Sequence, residues 1–329
     1  MFNESLFLHV GIFMTSRNYF RMIHRRQHPA HQGLDELKYW RPDKKWYHPM
    51  LCSSVVNFSK VALTQWNQLI FEGKERWDNI FEQRIHVDSK NEFGCSTGNE
   101  EVVLNKGEEK KANETQRNER KIPDKIKQGV LSFSNHVSLF DDPLLISNLG
   151  VSSYDDVRWI AADHKNFFGN NTKGLIYSGG KCVPIIRGGG LEQPGFDFLI
   201  QRLKMGEWVH IFPEGGRSRE IAGLLQRPLK IGIGKLIYEA RPLLMPFYHY
   251  GMHEILPIGS MFPKRGKKVL LKFGHAQTVD NNWWLQRLGC SVDKVEPLFA
   301  WQRATHWVEQ VLLDLEKQVH PLSAKQGIL

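Results

Sequence analysis

Cysteine is scarce in this 329-residue chain. Its four cysteines, at positions 52, 95, 182 and 290, lie far apart and share no paired spacing. That scatter excludes a disulfide framework and a cysteine-based zinc site. Histidine is plentiful, but no His-Glu-x-x-His or comparable ligand spacing occurs, so no metal is expected. Long apolar runs are also missing. The best candidate, Leu51 to Phe71, has Lys60 as its only charge, yet it contains Asn57, Ser59, Thr64, Gln65, Asn67 and Gln68. Such a stretch is too polar to span a bilayer. There is no P-loop, and Gly188-Gly189-Gly190 does not fit Gly-x-Gly-x-x-Gly, so neither nucleotide-binding signature is present. A Gly-x-Ser-x-Gly elbow is lacking too, which argues against a serine hydrolase. No internal repeat occurs.

Basic residues, in contrast, are in excess. Lysine and arginine total 44 against 35 acids, a net charge of +9. That balance suits an anionic partner. No nucleic-acid module accompanies it, so no nucleic-acid partner is expected and an anionic membrane surface is the better match. Residues 1–50 form a basic extension; between Ser5 and Leu34 there are four arginines and no acid, a faint likeness to a mitochondrial targeting segment. A folded domain is expected over 51–329. Within it, residues 88–122 are dominated by Asn, Glu, Lys and Gly and are expected to be a disordered insertion. Val55, Phe58, Ala62, Trp66 and Leu69 would share one face of a helix over 51–71. That face suits either a membrane interface or packing on the domain.

From Val130 onward, short apolar runs alternate with helical patterns. Strands are expected at Val130–Phe133, Val157–Ala161, Cys182–Ile186, Trp208–Phe212, Leu243–Phe247 and around Val269, Leu271 and Phe273. Helices are expected from Pro194 to Gly206, over 229–240, and near the C-terminus through Ala304, Val308, Val311, Leu312 and Leu315. Strands alternating with helices predict an α/β fold with a mostly parallel sheet flanked by helices, preceded by N-terminal amphipathic helices. In such sheets the ligand crevice lies outside the carboxyl ends of the strands. Arg187 follows one expected strand, Pro213 to Ser218 another, and Tyr248 to Gly251 a third.

Between the first strand and the next helix signal stands Asn135-His136-Val-Ser-Leu-Phe-Asp141-Asp142-Pro143. One continuous helix would set His136 and Asp141 roughly 140° apart, at about 100° per residue. A strand-to-helix turn removes that obstacle. A histidine oriented by a carboxylate is a general base, and with no nucleophilic Ser or Cys in a recognisable context its client would be a substrate hydroxyl. Taken alone, the spacing is equally compatible with a capped turn carrying a surface histidine. Asp142 reads as the helix cap and His210 as a core histidine. Asn135 either positions the histidine loop or caps a turn, and Lys181 either adds positive potential or is solvated.

Asn135-His136 with Asp141, Gly180-Lys181-Cys-Val-Pro-Ile-Ile-Arg187 and Phe212-Pro213-Glu214-Gly215-Gly216-Arg217-Ser218 resemble, in order, the blocks of the glycerolipid acyltransferase superfamily. Trp208-Val-His-Ile-Phe-Pro-Glu-Gly, Gly232-Ile-Gly-Lys-Leu-Ile and Gly251-Met-His-Glu-Ile-Leu-Pro257 are similar to the tafazzin family within it. Tafazzins often carry lysine where Gly216 stands; Gly-Arg-Ser is nearer the general lysophospholipid acyltransferase pattern and plant-type tafazzin-like enzymes. The resemblance implies a glycerol-3-phosphate acyltransferase-like fold and an O-acyltransferase or transacylase without cofactor that remodels membrane glycerophospholipids. His136 and Asp141 would be its catalytic pair, Asn135 a positioning residue, and Arg187, Glu214, Gly215, Gly216, Arg217 and Ser218 its substrate-binding set. Partners implied are phospholipid and lysophospholipid, including a monolysocardiolipin-type acceptor, at a mitochondrial membrane surface. Acyl-CoA is the alternative donor, and a membrane-binding module without activity is the non-enzymatic alternative.

Overall fold

The computed structural model describes residues 37–81, 128–146, 148–149, 153–220, 223–260 and 262–325. Residues 1–36 of the expected basic extension and the expected insertion at 88–122 lie outside the described residues. The chain divides into two units, Met1–Lys38 and Tyr39–Leu329. Only Leu37 and Lys38 of the first are described, and everything below concerns the second.

Its centre is one sheet. The strands are β1 (Gln68–Glu72), β2 (Val130–Phe133), β3 (Trp159–Asp163), β4 (Cys182–Ile185), β5 (Trp208–Ile211), β6 (Leu243–Tyr250), β7 (Lys268–Phe273) and β8 (Gln277–Thr278). They lie in the order β1-β7-β6-β2-β5-β3-β4, with β8 added beside β6. The pairs β6–β2, β2–β5, β5–β3 and β3–β4 are parallel, so these strands end on the same edge. Strand β7 runs antiparallel to β6, and β1 runs parallel to β7. The expected mixed α/β sheet, mostly parallel and flanked by helices, is what forms.

The apolar runs become strands because both faces of the sheet are covered. Every residue of β2 and β5 is buried. One face carries an aromatic cluster in which Trp77 stacks on Phe81 at 4.4 Å and meets Trp208, Phe247 and Phe273 edge-on or tilted. Helix Pro297–Lys325 packs on β6 and β7 and on helix Gly232–Ala240. Its buried Ala300, Ala304, Val308, Leu312, Leu315 and Val319 recur at helical spacing. Gly234 permits this close approach, since a Cβ there would lie 2.0 Å from the Trp301 carbonyl oxygen. Helix Pro194–Lys204 packs against β3, β4 and β5.

Three sequence expectations change. The segment 51–71 is not one helix: helix His48–Thr64 ends in a turn, and residues 68–72 become β1. The turn is held by Asn67, whose side chain donates to the Ala62 carbonyl (2.8 Å) and accepts the Lys267 N–H (2.8 Å). Ala62 faces the core while Val55 and Phe58 are largely exposed, so the expected single apolar face is split. Strand β6 does not stop at Phe247 but runs to Tyr250, because β7 takes up the second half of its ladder. Of the two tryptophans set among charges and prolines before the first helix, and expected to fold back onto the domain, Trp40 does so: it is buried, donates to the Cys182 carbonyl (3.2 Å) and meets Phe198 edge-on, whereas Trp46 is exposed. Asp142 is not a cap: the Arg158 guanidinium grips its carboxylate through Nε (2.6 Å) and NH2, in a buried ion pair.

Candidate active site

Strand β2 ends at Phe133, opposite Pro246 of β6, which has no N–H to extend the ladder. The next link between these strands is made by a side chain. The Asn135 amide donates to the His249 carbonyl (2.9 Å) and accepts the His249 N–H (3.0 Å), standing in for a backbone partner inside the sheet. The chain then leaves the carboxyl edge of the sheet at His136.

Asp141 opens a short π-helical segment, Asp141–Ile146, where a regular α-helix was expected. The turn brings the two side chains together: His136 Nδ1 lies 2.9 Å from Asp141 Oδ2. The same oxygen accepts the N–H groups of Val137 (2.6 Å) and Ser138 (2.8 Å), so the turn itself aims the carboxylate. Asp141 is fully buried, whereas the His136 side chain keeps 17% exposure. Burial works against the Asp141 charge, yet the neighbouring His249 and His136 rings and the Ser138 N–H outweigh it and hold the carboxyl below its ordinary range. Because the carboxylate is an acceptor, Nδ1 of His136 carries the hydrogen and Nε2 is left to act as a base. The imidazole lies flat on the Phe212 ring, with centroids 4.1 Å apart and planes within 13°.

The Phe212–Ser218 block braces the histidine loop from the end of β5. Glu214 Oε1 accepts the His136 N–H (2.5 Å) and Oε2 accepts the Gln226 N–H (2.7 Å). Burial pushes the Glu214 pKa up to about 8, opposed by those two N–H groups. Expected in the substrate-binding set, Glu214 makes hydrogen bonds that support the turn. Ser218 is likewise structural: its N–H donates to the His136 carbonyl (2.6 Å) and its hydroxyl to the Leu224 carbonyl (2.6 Å). Gly215 has φ +72 and lies against the Lys230 side chain, and its N–H bonds the Phe212 carbonyl (3.0 Å). That N–H is therefore spent inside the turn.

Arg187 follows β4 and reaches over the turn, with NH2 3.6 Å from where a Gly216 Cβ would sit. Its side chain is 61% exposed, and Asp163 lies 3.8 Å from Nε. Arg217 is half-buried and has no ion pair among the described residues. Both expected cations thus stand near the Glu214–Ser218 turn with capacity for an anionic group. Lys181 is not a solvated charge. It is buried, donates to the Asp155 (2.9 Å) and Val157 (3.0 Å) carbonyls, and has its pKa lowered by burial to about 8. His210 is the expected core histidine, bonded to Ser132 Oγ at 2.8 Å. Sequence reasoning missed His249, Phe212 as a ring platform, and Arg158. Phe212 was findable from its place in the block and His249 from its place after an expected strand, but nothing local marked Arg158.

Residues 110–250, which include both members of the pair, match the family described as Acyltransferase. Over this stretch the chain is similar to that family. The expected tafazzin likeness is present as well. A tafazzin from Drosophila melanogaster is 33% identical over 204 residues, covering 60% of this chain and 52% of that protein. A Dictyostelium discoideum protein named "Taffazin" is 34% identical over 159 residues, 45% of this chain and 55% of the relative. An N-acylphosphatidylethanolamine synthase from Arabidopsis thaliana is 37% identical over 133 residues, 39% of this chain and 46% of the relative. The chain spans about half the length of the curated relatives it matches. Within the matched stretch, the His136 loop, the end of β5 and the end of β6 all meet at one edge of the sheet.

Proposed function

We propose that this protein transfers acyl chains between glycerophospholipids, with His136 as general base and Asp141 as its orienting carboxylate. The observation that carries the reading is the 2.9 Å His136–Asp141 hydrogen bond at the carboxyl edge of the sheet, within the stretch similar to the Acyltransferase family. His136 Nε2 takes the proton of a lysophospholipid hydroxyl as its oxygen attacks the acyl carbonyl carbon. Asp141 stabilises the imidazolium so formed. Collapse of the tetrahedral intermediate breaks the bond to the leaving oxygen of the donor lipid, or to the sulfur of acyl-CoA, and the imidazolium returns its proton there. Exchange of ester for ester needs no activated donor, so a diacyl phospholipid suffices. Arg187 and Arg217 would hold lipid phosphate, since a guanidinium binds it with two hydrogen bonds.

The substrate setting is a membrane surface, and the tafazzin likeness supports a mitochondrial one. Among the described residues no helix is long and apolar enough to cross a bilayer. Exposed apolar side chains support a peripheral contact instead. Leu139 stands in the histidine loop, Ile258 and Phe262 in the loop beyond β6, and Val55 and Phe58 on helix His48–Thr64. These segments are tied together: Ser138 Oγ donates to the Leu256 carbonyl, the helix packs on Asp141–Ile146, and Phe58 meets Trp66, over which Arg265 lies at 4.3 Å.

A second acceptor reading rests on the N-acylphosphatidylethanolamine synthase likeness, because the same base can deprotonate an ethanolamine headgroup. The test uses purified protein in vesicles holding labelled phosphatidylcholine, monolysocardiolipin and phosphatidylethanolamine. The expected result is label on cardiolipin without CoA, lost at least about 10²-fold in His136→Ala. Label only on ethanolamine nitrogen selects the second acceptor, and transfer only from acyl-CoA selects the alternative donor. No transfer under any condition overturns the reading.

A further inference from the structure

We propose that His249 is a positioning residue for the His136–Asp141 pair, a neutral imidazole that clamps the backbone entering the histidine loop and backs the carboxylate from within the sheet. The proposal rests on the acyl-transfer reading of that pair. His249 lies in the second half of β6, and its side chain is fully buried. It makes three hydrogen bonds to one residue. Its N–H and carbonyl pair with the Asn135 amide at 3.0 and 2.9 Å, and its Nε2 lies 3.0 Å from the Asn135 carbonyl oxygen. Asn135 immediately precedes His136, so this grip sets where the base leaves the sheet. The same Nε2 stands 3.7 Å from Asp141 Oδ2, the oxygen that His136 uses.

The partners dictate the protonation state. A carbonyl oxygen only accepts, so Nε2 of His249 carries the hydrogen. Nδ1 is buried and has no hydrogen-bond partner among the described residues. A second proton there would strand both an N–H and a charge, a state that costs far more than an unused acceptor. Burial also holds the His249 pKa below the usual histidine value, against the pull of Asp141. Two histidines thus flank one carboxylate oxygen with opposite hydrogen placement. His136 presents Nδ1–H and keeps Nε2 for substrate; His249 presents Nε2–H and never meets substrate. Asp141 Oδ1 is buried and has no hydrogen-bond partner among the described residues, so the carboxylate is held through Oδ2 alone. The His249 ring, 3.7 Å from that oxygen, limits the room for it to move.

The decisive comparison is His249→Leu with His249→Gln, because glutamine keeps an N–H donor and leucine does not. Displacing reacting groups by about 1 Å can cost about 10²-fold, so the leucine variant should lose about 10–100-fold in kcat. KM should stay within about twofold, since His249 contacts no lipid. Glutamine should bring kcat back to within about fivefold of wild type. Two NMR readouts need no turnover and so separate failure of this proposal from failure of the acyl-transfer reading. In protein labelled with ¹⁵N-histidine at pH 7, His249 should be the neutral Nε2–H tautomer. The downfield proton of the His136–Asp141 hydrogen bond, assigned by its absence in His136→Ala, should persist in the glutamine variant and vanish or shift in the leucine variant. Should the leucine variant not fold, the glutamine variant and the wild-type tautomer decide. A charged or Nδ1–H His249, an unchanged downfield proton or kcat in folded His249→Leu, or a glutamine variant that loses kcat would each overturn the assignment.

Discussion

Asp141→Asn isolates the charge of the carboxylate from its shape. The amide oxygen can take the Oδ2 position and still accept the Val137 and Ser138 N–H groups at 2.6 and 2.8 Å, so the turn is kept. What is lost is the negative charge facing the imidazolium that forms as His136 takes the substrate proton. Two unit charges about 4 Å apart interact by about 4 kcal/mol at an effective dielectric constant of about 20. At about 1.36 kcal/mol per decade, that predicts a loss of about three decades in kcat. The amide nitrogen falls at Oδ1, which is buried and has no partner. An unsatisfied buried donor costs about 1–3 kcal/mol, so the variant should melt a few degrees lower and remain folded. The assay is label transfer in vesicles at saturating lipid, with thermal unfolding followed in parallel. A folded Asp141→Asn protein that loses less than about tenfold would refute the general-base reasoning, because the imidazolium would then owe its stability to something other than this carboxylate.

Arg217→Ala and Arg187→Ala should each raise the apparent KM for lysophospholipid more than they lower kcat, since phosphate does not react; a loss confined to kcat contradicts phosphate binding. Arg158→Ala leaves the Asp142 carboxylate without its buried partner and should cost about 3–5 kcal/mol in urea unfolding. Replacing both, as Arg158→Met with Asp142→Leu, should recover most of that loss, and a double variant no better than the single one rejects the pair as its source. His48 is buried, and its Nδ1 accepts the Lys45 N–H at 3.2 Å; burial, with Lys45 nearby, lowers its pKa to about 4 from 6.5. A histidine whose folded pKa is lowered contributes stability above about pH 6.5 that drains away as pH falls toward about 4. Non-titrating His48→Asn should therefore show a shallower fall in melting temperature across that window, and parallel curves for the two proteins would reject the effect.

Much of the architecture was legible because it is written in short-range pattern. The runs at Val130, Cys182, Trp208 and Val269 are apolar on both sides of the chain, as strands covered on two faces must be, and they are β2, β4, β5 and β7. The terminal helix showed its core stripe in Ala304, Val308, Leu312 and Leu315 at helical spacing. The His136–Asp141 contact was readable because the residues are five apart and a strand-to-helix turn is the local structure that joins them.

Long-range pairing was not readable. Periodicity over 51–71 cannot reveal that Gln68 pairs with Lys268, so a strand was taken for the end of a helix. Asp142 looked like a cap until Arg158 arrived from the start of another strand. His249 stood just past an apolar run with no partner in view, because Asn135 is 114 residues away and only the parallel pairing of β2 with β6 brings them together. The sequence alone determined which chemical groups are available, and the turn that joins a base to its carboxylate, because both depend on residue identity and neighbours along the chain. The tertiary structure alone decided which groups are occupied. Glu214 and Ser218 are engaged in bracing the histidine loop, Arg187 keeps a long 3.8 Å contact with Asp163, Arg217 has no ion pair among the described residues, and the His249 ring is bonded to Asn135. Burial and hydrogen-bond partners come from the sheet as a whole, and they set which polar groups are left for a substrate.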